Sequence, residues 1–259
     1  MSDQVDLALV LPCFNEEHRA PWARFRTFLE NDHGAALLLV DDGSTDGTVQ
    51  RMEELAVHFP TRVVLLKRDE NGGKAEAVRQ GTLKAAQLWP FARHVGYFDA
   101  DLATPLEEAR MLQGTPQASG PTLVMGSRVK LLGSTTIRRS WLRHYFGRVF
   151  ATATSLMLGI AVYDTQCGAK LMRTKEVPWL MQEPFLSRWL FDVELIWRCL
   201  LRYGREDIGA QVQEVPLRRW EEMGNSRISF GYLFKVPMEL LRIQAHYRRK
   251  EKAAGTTQA

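Results

Sequence analysis

Ala36-Leu37-Leu38-Leu39-Val40-Asp41-Asp42-Gly43-Ser44 decides the fold, because an apolar run with no polar alternation stops abruptly at acidic and turn-forming residues. A run this short and apolar on both faces suits a central parallel strand covered by helices on either side. Leu7 to Leu11, stopped by Pro12, has the same character upstream, and Val63 to Leu66 follows downstream. Between the first two runs, Glu16 to Asn31 carries Trp22, Phe25, Phe28 and Leu29 at helical spacing. Val49 to Phe59 reads as the next helix, after Ser44-Thr45-Asp46-Gly47-Thr48, in which Asp46 reads as a turn or cap residue. Ala75 to Leu88 is a further helix and His94 to Phe98 a further strand, and Thr122 to Met125 adds another before Gly126-Ser127-Arg128. This alternation predicts an α/β fold with an open, mostly parallel sheet flanked by helices, in which ligands bind beyond the carboxyl ends of the strands.

The second half differs. Residues 137 to 159 read as one long helix in which Trp141, Leu142, Tyr145, Phe146, Val149 and Phe150 form a broad apolar arc, with Arg143, His144 and Arg148 largely opposite. Phe230 to Arg249 is a second amphipathic segment, which Pro237 should kink or start. Neither is apolar for long enough to span a bilayer, and both have the aromatic and basic pattern of interfacial helices as well as that of helices packed on a sheet. Residues 251 to 259 read as a disordered tail. The N-terminus has no basic n-region and does not read as a signal peptide.

The net charge of +4 points to anionic partners, but the positive residues are scattered and no nucleic-acid motif is present, so nucleic acid is not expected. Cys13, Cys167 and Cys199 are odd in number and show no C-x-x-C pairing, which argues against a disulfide framework or a zinc site and fits a reducing compartment.

Chemistry gathers at the strand ends. Tyr97-Phe98-Asp99-Ala100-Asp101 places two carboxylates at i and i+2, on one side of an extended segment. They are candidate ligands for Mg²⁺ or Mn²⁺, which prefer oxygen and share coordination with phosphates; the plain alternative is a polar strand end. Gly72-Gly73-Lys74 opens a helix and could cradle phosphate with backbone amides and an ammonium, or leave Lys74 as a solvated charge. Arg128, Arg139 and Arg227 are candidates for gripping phosphate, where the guanidinium fork matches the oxygens, against the plain reading of surface charges. Asp192 or Glu194 could act as general base toward a hydroxyl acceptor. A phosphomonoester acceptor is already largely dianionic at neutral pH and needs no base, in which case Asp192 orients a substrate or a neighbouring cation.

Taken in order, Leu9-Val10-Leu11-Pro12-Cys13-Phe14-Asn15-Glu16-Glu17, Val40-Asp41-Asp42-Gly43-Ser44-Thr45-Asp46-Gly47-Thr48, Asn71-Gly72-Gly73-Lys74 and Asp99-Ala100-Asp101 resemble the inverting family 2 glycosyltransferases with a GT-A fold. Gly126-Ser127-Arg128, Asp164-Thr165-Gln166-Cys167-Gly168-Ala169-Lys170-Leu171, the stretch from Arg188 to Leu195 and Gly224-Asn225-Ser226-Arg227 narrow the resemblance to the polyprenyl-phosphate glycosyltransferases, most like the dolichyl-phosphate β-glucosyltransferases. The resemblance implies a single domain over residues 1–250, with a nucleotide-sugar half to about 128 and an acceptor half from about 129.

It also implies site roles. Pro12, Phe14, Asn15, Glu16, Asp41, Asp42 and Ser44 would hold base and ribose; Gly73 and Lys74 would lie near the diphosphate; Asp99, Ala100 and Asp101 would form the metal and donor site. Asp101, Asp192, Lys74 and Arg128 would serve catalysis, and Arg128, Arg139, Gln166 and Arg227 the acceptor. The Asp-Thr-Gln-Cys-Gly stretch, where mannosyl relatives have a Thr-Gly-containing one, favours UDP-glucose over GDP-mannose as donor. The implied acceptor is dolichyl or undecaprenyl phosphate. Ala103 stands where mannosyl relatives have a Gln able to assist the metal, and Arg227 where Lys is commoner. Eukaryotic relatives carry an N-terminal membrane helix that these residues lack, so the expected location is cytoplasmic and peripheral, on the cytoplasmic face of a membrane, through the amphipathic segments. The rival readings are the same fold acting on a saccharide, glycolipid or protein hydroxyl with Asp192 as base, and a silent nucleotide-sugar-binding or membrane-scaffold protein.

Overall fold

The computed structural model describes residues 5–114, 120–130, 136–138, 141–223 and 235–256, and side chains within these except at 138, 141–146 and 254–256. Its strands are β1 (Leu7–Cys13), β2 (Ala35–Asp41), β3 (Val63–Lys67), β4 (His94–Phe98), β5 (Leu123–Ser127), β6 (Thr136–Arg138), β7 (Ala169–Arg173), β8 (Val212–Pro216) and β9 (Arg219–Glu221). The helices are α1 (Trp22–Asn31), α2 (Thr48–His58), α3 (Lys74–Leu88), α4 (Glu108–Gln113), α5 (Trp141–Leu158), α6 (Val177–Leu180), α7 (Phe191–Gln211) and α8 (Val236–Thr256).

Seven strands form one sheet in the order β3-β2-β1-β4-β7-β5-β8, and β6 and β9 form a two-stranded parallel ribbon beside it. Every pairing in the large sheet is parallel except those of β7, which runs antiparallel to both β4 and β5. The apolar runs face both ways, as expected of covered central strands. Ala8, Val10, Leu38 and Val40 pack in one core with Val78 of α3 and Phe191 of α7. Leu7, Leu9, Leu11, Leu37 and Leu39 pack in the other with Phe25 and Leu29 of α1 and Met52 of α2. Close packing on the first face depends on Gly81, where a Cβ would lie 2.5 Å from Cγ1 of Val10.

Two elements depart from the sequence reading, and a third takes one of the two forms that reading left open. Ile137 belongs to β6 and pairs with Trp220 of β9, so the helix expected from 137 begins only at Trp141. Pro237 is the second residue of α8, where its missing N–H costs nothing, so it starts the helix instead of kinking it. That helix continues to Thr256, into the tail expected to be disordered from residue 251.

Candidate active site

The carboxyl ends of β1, β2 and β4 meet at one pole of the sheet, and their loops are tied together by side chain to backbone hydrogen bonds. Asn15 adopts a φ of +49°, a left-handed conformation that Asn tolerates better than branched residues. Its amide donates to Ser44 Oγ at 3.0 Å and its Oδ1 accepts from the Thr45 amide at 2.8 Å. The Glu16 amide donates to Thr48 Oγ1 at 2.7 Å, and buried Asp41 accepts from the Ser44 amide at 3.1 Å. The segment that carries Pro12, Phe14, Asn15 and Glu16 is therefore joined to the one that carries Asp41 and Ser44. Asp46 accepts from the Thr48 amide at 3.0 Å, the turn and cap role read from its surroundings.

Asp42 is buried and serves the next loop. Its Oδ1 accepts from the Gly72 amide at 3.0 Å and from Arg68, and its Oδ2 from the Gly73 amide at 2.8 Å. Asn71 donates to its carbonyl at 3.0 Å. This carboxylate thus shapes the Gly-Gly-Lys turn, in which Gly73 takes a φ of +85° before α3 starts at Lys74.

Lys74 Nζ lies 2.5 Å from Asp99 Oδ1. Burial opposes the ammonium, but the carboxylates of Asp99, Asp192 and Asp101 outweigh it and raise the lysine pKa. The Asp99 amide donates to the Gly168 carbonyl at 3.0 Å, and a Cβ on Gly168 would come within 2.0 Å of Asp99 Oδ2, so only glycine fits there. After Asp101 the chain turns through Leu102, at a φ of +51°. Asp101 Oδ1 accepts from the Ala103 amide at 3.0 Å, and Arg19 lies 3.8 Å from its Oδ2. Burial and the Asp99 charge raise the Asp101 carboxyl pKa against the opposing effects of that amide, Lys74 and Arg19.

Asp192 is the second residue of α7, where the helix dipole favours a carboxylate. It is buried, with Lys170 Nζ at 2.6 Å from Oδ1 and the Tyr97 hydroxyl donating to the same oxygen. Lys170, fully buried, also donates to the carbonyls of Thr165 at 2.9 Å and Cys167 at 2.7 Å. Burial and the Asp192 charge raise the Tyr97 pKa, which keeps its hydroxyl a donor. Glu194, the other candidate base, is fully buried, accepts from the amides of Leu186 and Ser187, and has its pKa raised by burial.

Of the four residues expected at the acceptor, two are described. Arg128 is a two-pronged partner of Asp164, with Nε at 2.6 Å and Nη2 at 2.7 Å, and stacks on Trp220. Its fork is taken by protein. Gln166 is half-buried, and its Nε2 has no hydrogen-bond partner among the described residues. Arg139, Arg227 and Gly224-Asn225-Ser226 lie outside the described residues.

Sequence reasoning missed Tyr97 and Lys170 as partners of Asp192, Arg68 as partner of Asp42, and Arg188, which donates to the carbonyls of Gly72 at 3.2 Å and Asn71 at 3.1 Å. A lysine inside the apolar run Ala169-Lys170-Leu171-Met172 was the one visible signal, since a buried ammonium needs a partner.

The donor set fits a divalent cation. Two carboxylates sit close enough for Asp99 to oppose the ionisation of Asp101, and the one ammonium on Asp99 offsets only part of their charge, so the place favours added positive charge. Among the described residues no third Asp, Glu, His or Cys joins the cluster, so any further ligands would be water and phosphate oxygens, as Mg²⁺ accepts.

The profile of glycosyl transferase family 2 matches residues 8–177. The chain is 29% identical over 261 residues to a dolichyl-phosphate beta-glucosyltransferase of Drosophila melanogaster, covering 95% of this chain and 76% of the relative. It is 29% identical over 233 residues to a polyprenol monophosphomannose synthase of Mycolicibacterium smegmatis, covering 85% and 80% respectively. Among solved structures, glucosyl-3-phosphoglycerate synthase of Mycobacterium tuberculosis in complex with Mn²⁺, UDP-glucose and glycerol 3-phosphate superposes with a TM-score of 0.60 at 18% identity, over 93% of this chain and 79% of that one.

Proposed function

Since the chain belongs to glycosyl transferase family 2 and is a glycosyltransferase, we propose that it transfers glucose from UDP-glucose to a polyprenyl phosphate with inversion at the anomeric carbon. The observation that carries the acceptor assignment is the state of Asp192. Its carboxylate is buried, with the Lys170 ammonium and the Tyr97 hydroxyl both on Oδ1, so it is engaged as an internal partner, and an acceptor that brings no proton to remove suits the site. A phosphate monoester is such an acceptor. The names of the Drosophila and Mycolicibacterium relatives support a polyprenyl phosphate, and the UDP-glucose complex of the solved neighbour supports the donor.

In this reading one acceptor phosphate oxygen attacks the anomeric carbon from the face opposite the diphosphate, and the carbon–oxygen bond to UDP breaks. Asp99 and Asp101 would hold Mg²⁺ or Mn²⁺, which when bound supplies Lewis-acid stabilisation of the leaving diphosphate. Lys74, at the start of α3, offsets the same charge, and the Gly72-Gly73 turn braced by Asp42 sets its position. Asp192 acts as a positioning residue through Lys170 and Tyr97.

The acceptor lipid would be reached from a membrane surface. Leu156 and Val149 of α5 and Met238 and Leu241 of α8 expose large apolar side chains, and Arg242, Arg248 and Arg249 are exposed on α8. No helix among the described residues is long and apolar enough to cross a membrane, so the association would be peripheral. Cys13, Cys167 and Cys199 are buried and form no disulfide among the described residues, in keeping with a cytoplasmic face.

Mass spectrometry of products from UDP-glucose and GDP-mannose with dolichyl and undecaprenyl phosphate tests the reading. The expected product is a glucosyl phosphate lipid formed only with divalent cation, and lost in Asp101→Ala. Labelling of a sugar or protein hydroxyl in place of the lipid phosphate would overturn the acceptor assignment, and normal metal-dependent turnover by Asp101→Ala would overturn the mechanism.

A further inference from the structure

The opposite pole of the sheet, where β4, β5 and β8 begin and antiparallel β7 ends, holds a cavity of about 530 Å³. Arg93, His94, Arg173, Thr174 and Lys175 form its polar wall, and the rest of the lining is aliphatic, glycine, proline and amide, with no carboxylate among the described residues. Strand pairing forces the cations together, since His94 lies opposite Arg173 in the β4–β7 register and the Thr174 amide donates to the Arg93 carbonyl at 3.3 Å.

The acidic groups nearby engage only one edge of this wall. Asp6 is 3.5 Å from Arg93 Nη2 but is held at 2.8 Å by Arg110, and Glu176 reaches Arg173 Nη2 at 3.3 Å. Arg93 Nη1, Arg173 Nε, His94 Nδ1 and Thr174 Oγ1 are buried and have no hydrogen-bond partner among the described residues. Buried polar atoms are nearly always paired, so four such atoms on one wall point to a missing polar partner. Burial first, and then the charges of Arg93 and Arg173, push the His94 imidazole pKa down to about 4 against the opposing charge of Asp6.

We propose that this cavity binds a phosphomonoester, with Arg93, Arg173 and Lys175 around the phosphate and the aliphatic wall against a compact organic body. Arg173 Nη2 is already engaged by Glu176, Thr122 and Gln211, which leaves its Nε, Arg93 Nη1 and the Lys175 ammonium as donors that suit a phosphate dianion, and the volume is that of a small-ligand pocket. The site is separate from the donor pole. From His94 to Asp99 the chain advances five positions along β4, roughly 17 Å at strand rise. It is a soluble-ligand site, because none of the exposed apolar residues of α5 and α8 lines it.

The test is titration of the full chain, with UDP and Mn²⁺ saturating, against inorganic phosphate and phenyl phosphate, followed by calorimetry and by the His94 ring resonances, which His94→Asn assigns. Phenyl phosphate is expected to bind at one saturable site and shift the His94 signals. Arg173→Gln should weaken it about tenfold, the equivalent of one charge-assisted hydrogen bond, and Lys74→Gln should leave it unchanged. Lys175→Gln, at an exposed position that leaves folding intact, should weaken it in the same direction. Absence of a His94 shift, affinity insensitive to Arg173→Gln and Lys175→Gln, or a loss produced instead by Lys74→Gln would overturn the site. A response to phosphatidate vesicles with none to phenyl phosphate would overturn its assignment to a soluble ligand.

Discussion

Replacing Asp192 with Asn separates a catalytic base from a buried strut. The Lys170 side chain is fully buried and that of Asp192 is 6% exposed, so the pair is beyond solvent screening and Asn would leave an ammonium in the core with only two carbonyls and an amide for company. Breaking a buried pair from one side costs about 3–5 kcal/mol. At about 2–4 °C per kcal/mol for a chain of this size, the melting temperature should fall by roughly 6–20 °C. Lys170→Met should cost a similar amount, and the double variant less than the sum, because the second change removes the uncompensated charge left by the first. Denaturant melts of the four proteins give the coupling. Turnover assayed well below the new midpoint should fall far short of the ~10²–10⁴-fold that a lost general base costs. Stability within about 1 kcal/mol of the parent together with a thousandfold fall in turnover, about what a base supplies, would refute the strut and restore Asp192 as base.

The remaining predictions concern geometry, pH and the membrane. Gly168→Ala places a methyl where Asp99 Oδ2 now lies, and should lower kcat/KM about a hundredfold through misplacement, with an unchanged circular dichroism spectrum. His94 has its pKa lowered from 6.5 to about 4 when folded, so the unfolded chain binds the extra proton between those values. The stability this contributes is present above pH 6.5 and is lost as pH falls toward 4, by at most ~3 kcal/mol; melts of His94→Asn across that window should show a flatter profile. Liposome flotation should recover the parent with anionic vesicles, and Leu156→Glu with Leu241→Glu should abolish it; flotation unaffected by both changes would remove these faces from the membrane contact.

How much the sequence disclosed follows from how local each feature is. The parallel strands were legible because Leu7 to Leu11 and Leu37 to Val40 are apolar on both faces, a pattern that only covered strands require. The insertion of β7 between β4 and β5, in the reverse direction, was not legible, because it depends on pairing His94 with Arg173 across a long separation. Ile137 was misread for the same reason: it satisfies the apolar arc of the following helix, and nothing near it in sequence announces Trp220 as its strand partner.

The candidate site divides along the same line. Asp99, Asp101 and Lys74 could be read from short motifs, since two carboxylates at i and i+2 and a lysine opening a helix declare their geometry locally. The ion pairs that decide what each charge is free to do could not. Arg128 reads in the sequence as a phosphate grip and in the structure has its fork on Asp164, and Asp42 reads as a nucleotide ligand and accepts from the Gly72 and Gly73 amides. Asp192 looked like a possible base until Lys170 and Tyr97 were found on one of its oxygens. Each partner is remote in sequence, and each pairing converts a group that could meet substrate into one that holds another group in place. In the proposed reading the chemistry left to substrate is narrower than the motif suggested: an acceptor that arrives already charged, set against the Asp99, Asp101 and Lys74 cluster and needing no base from the protein.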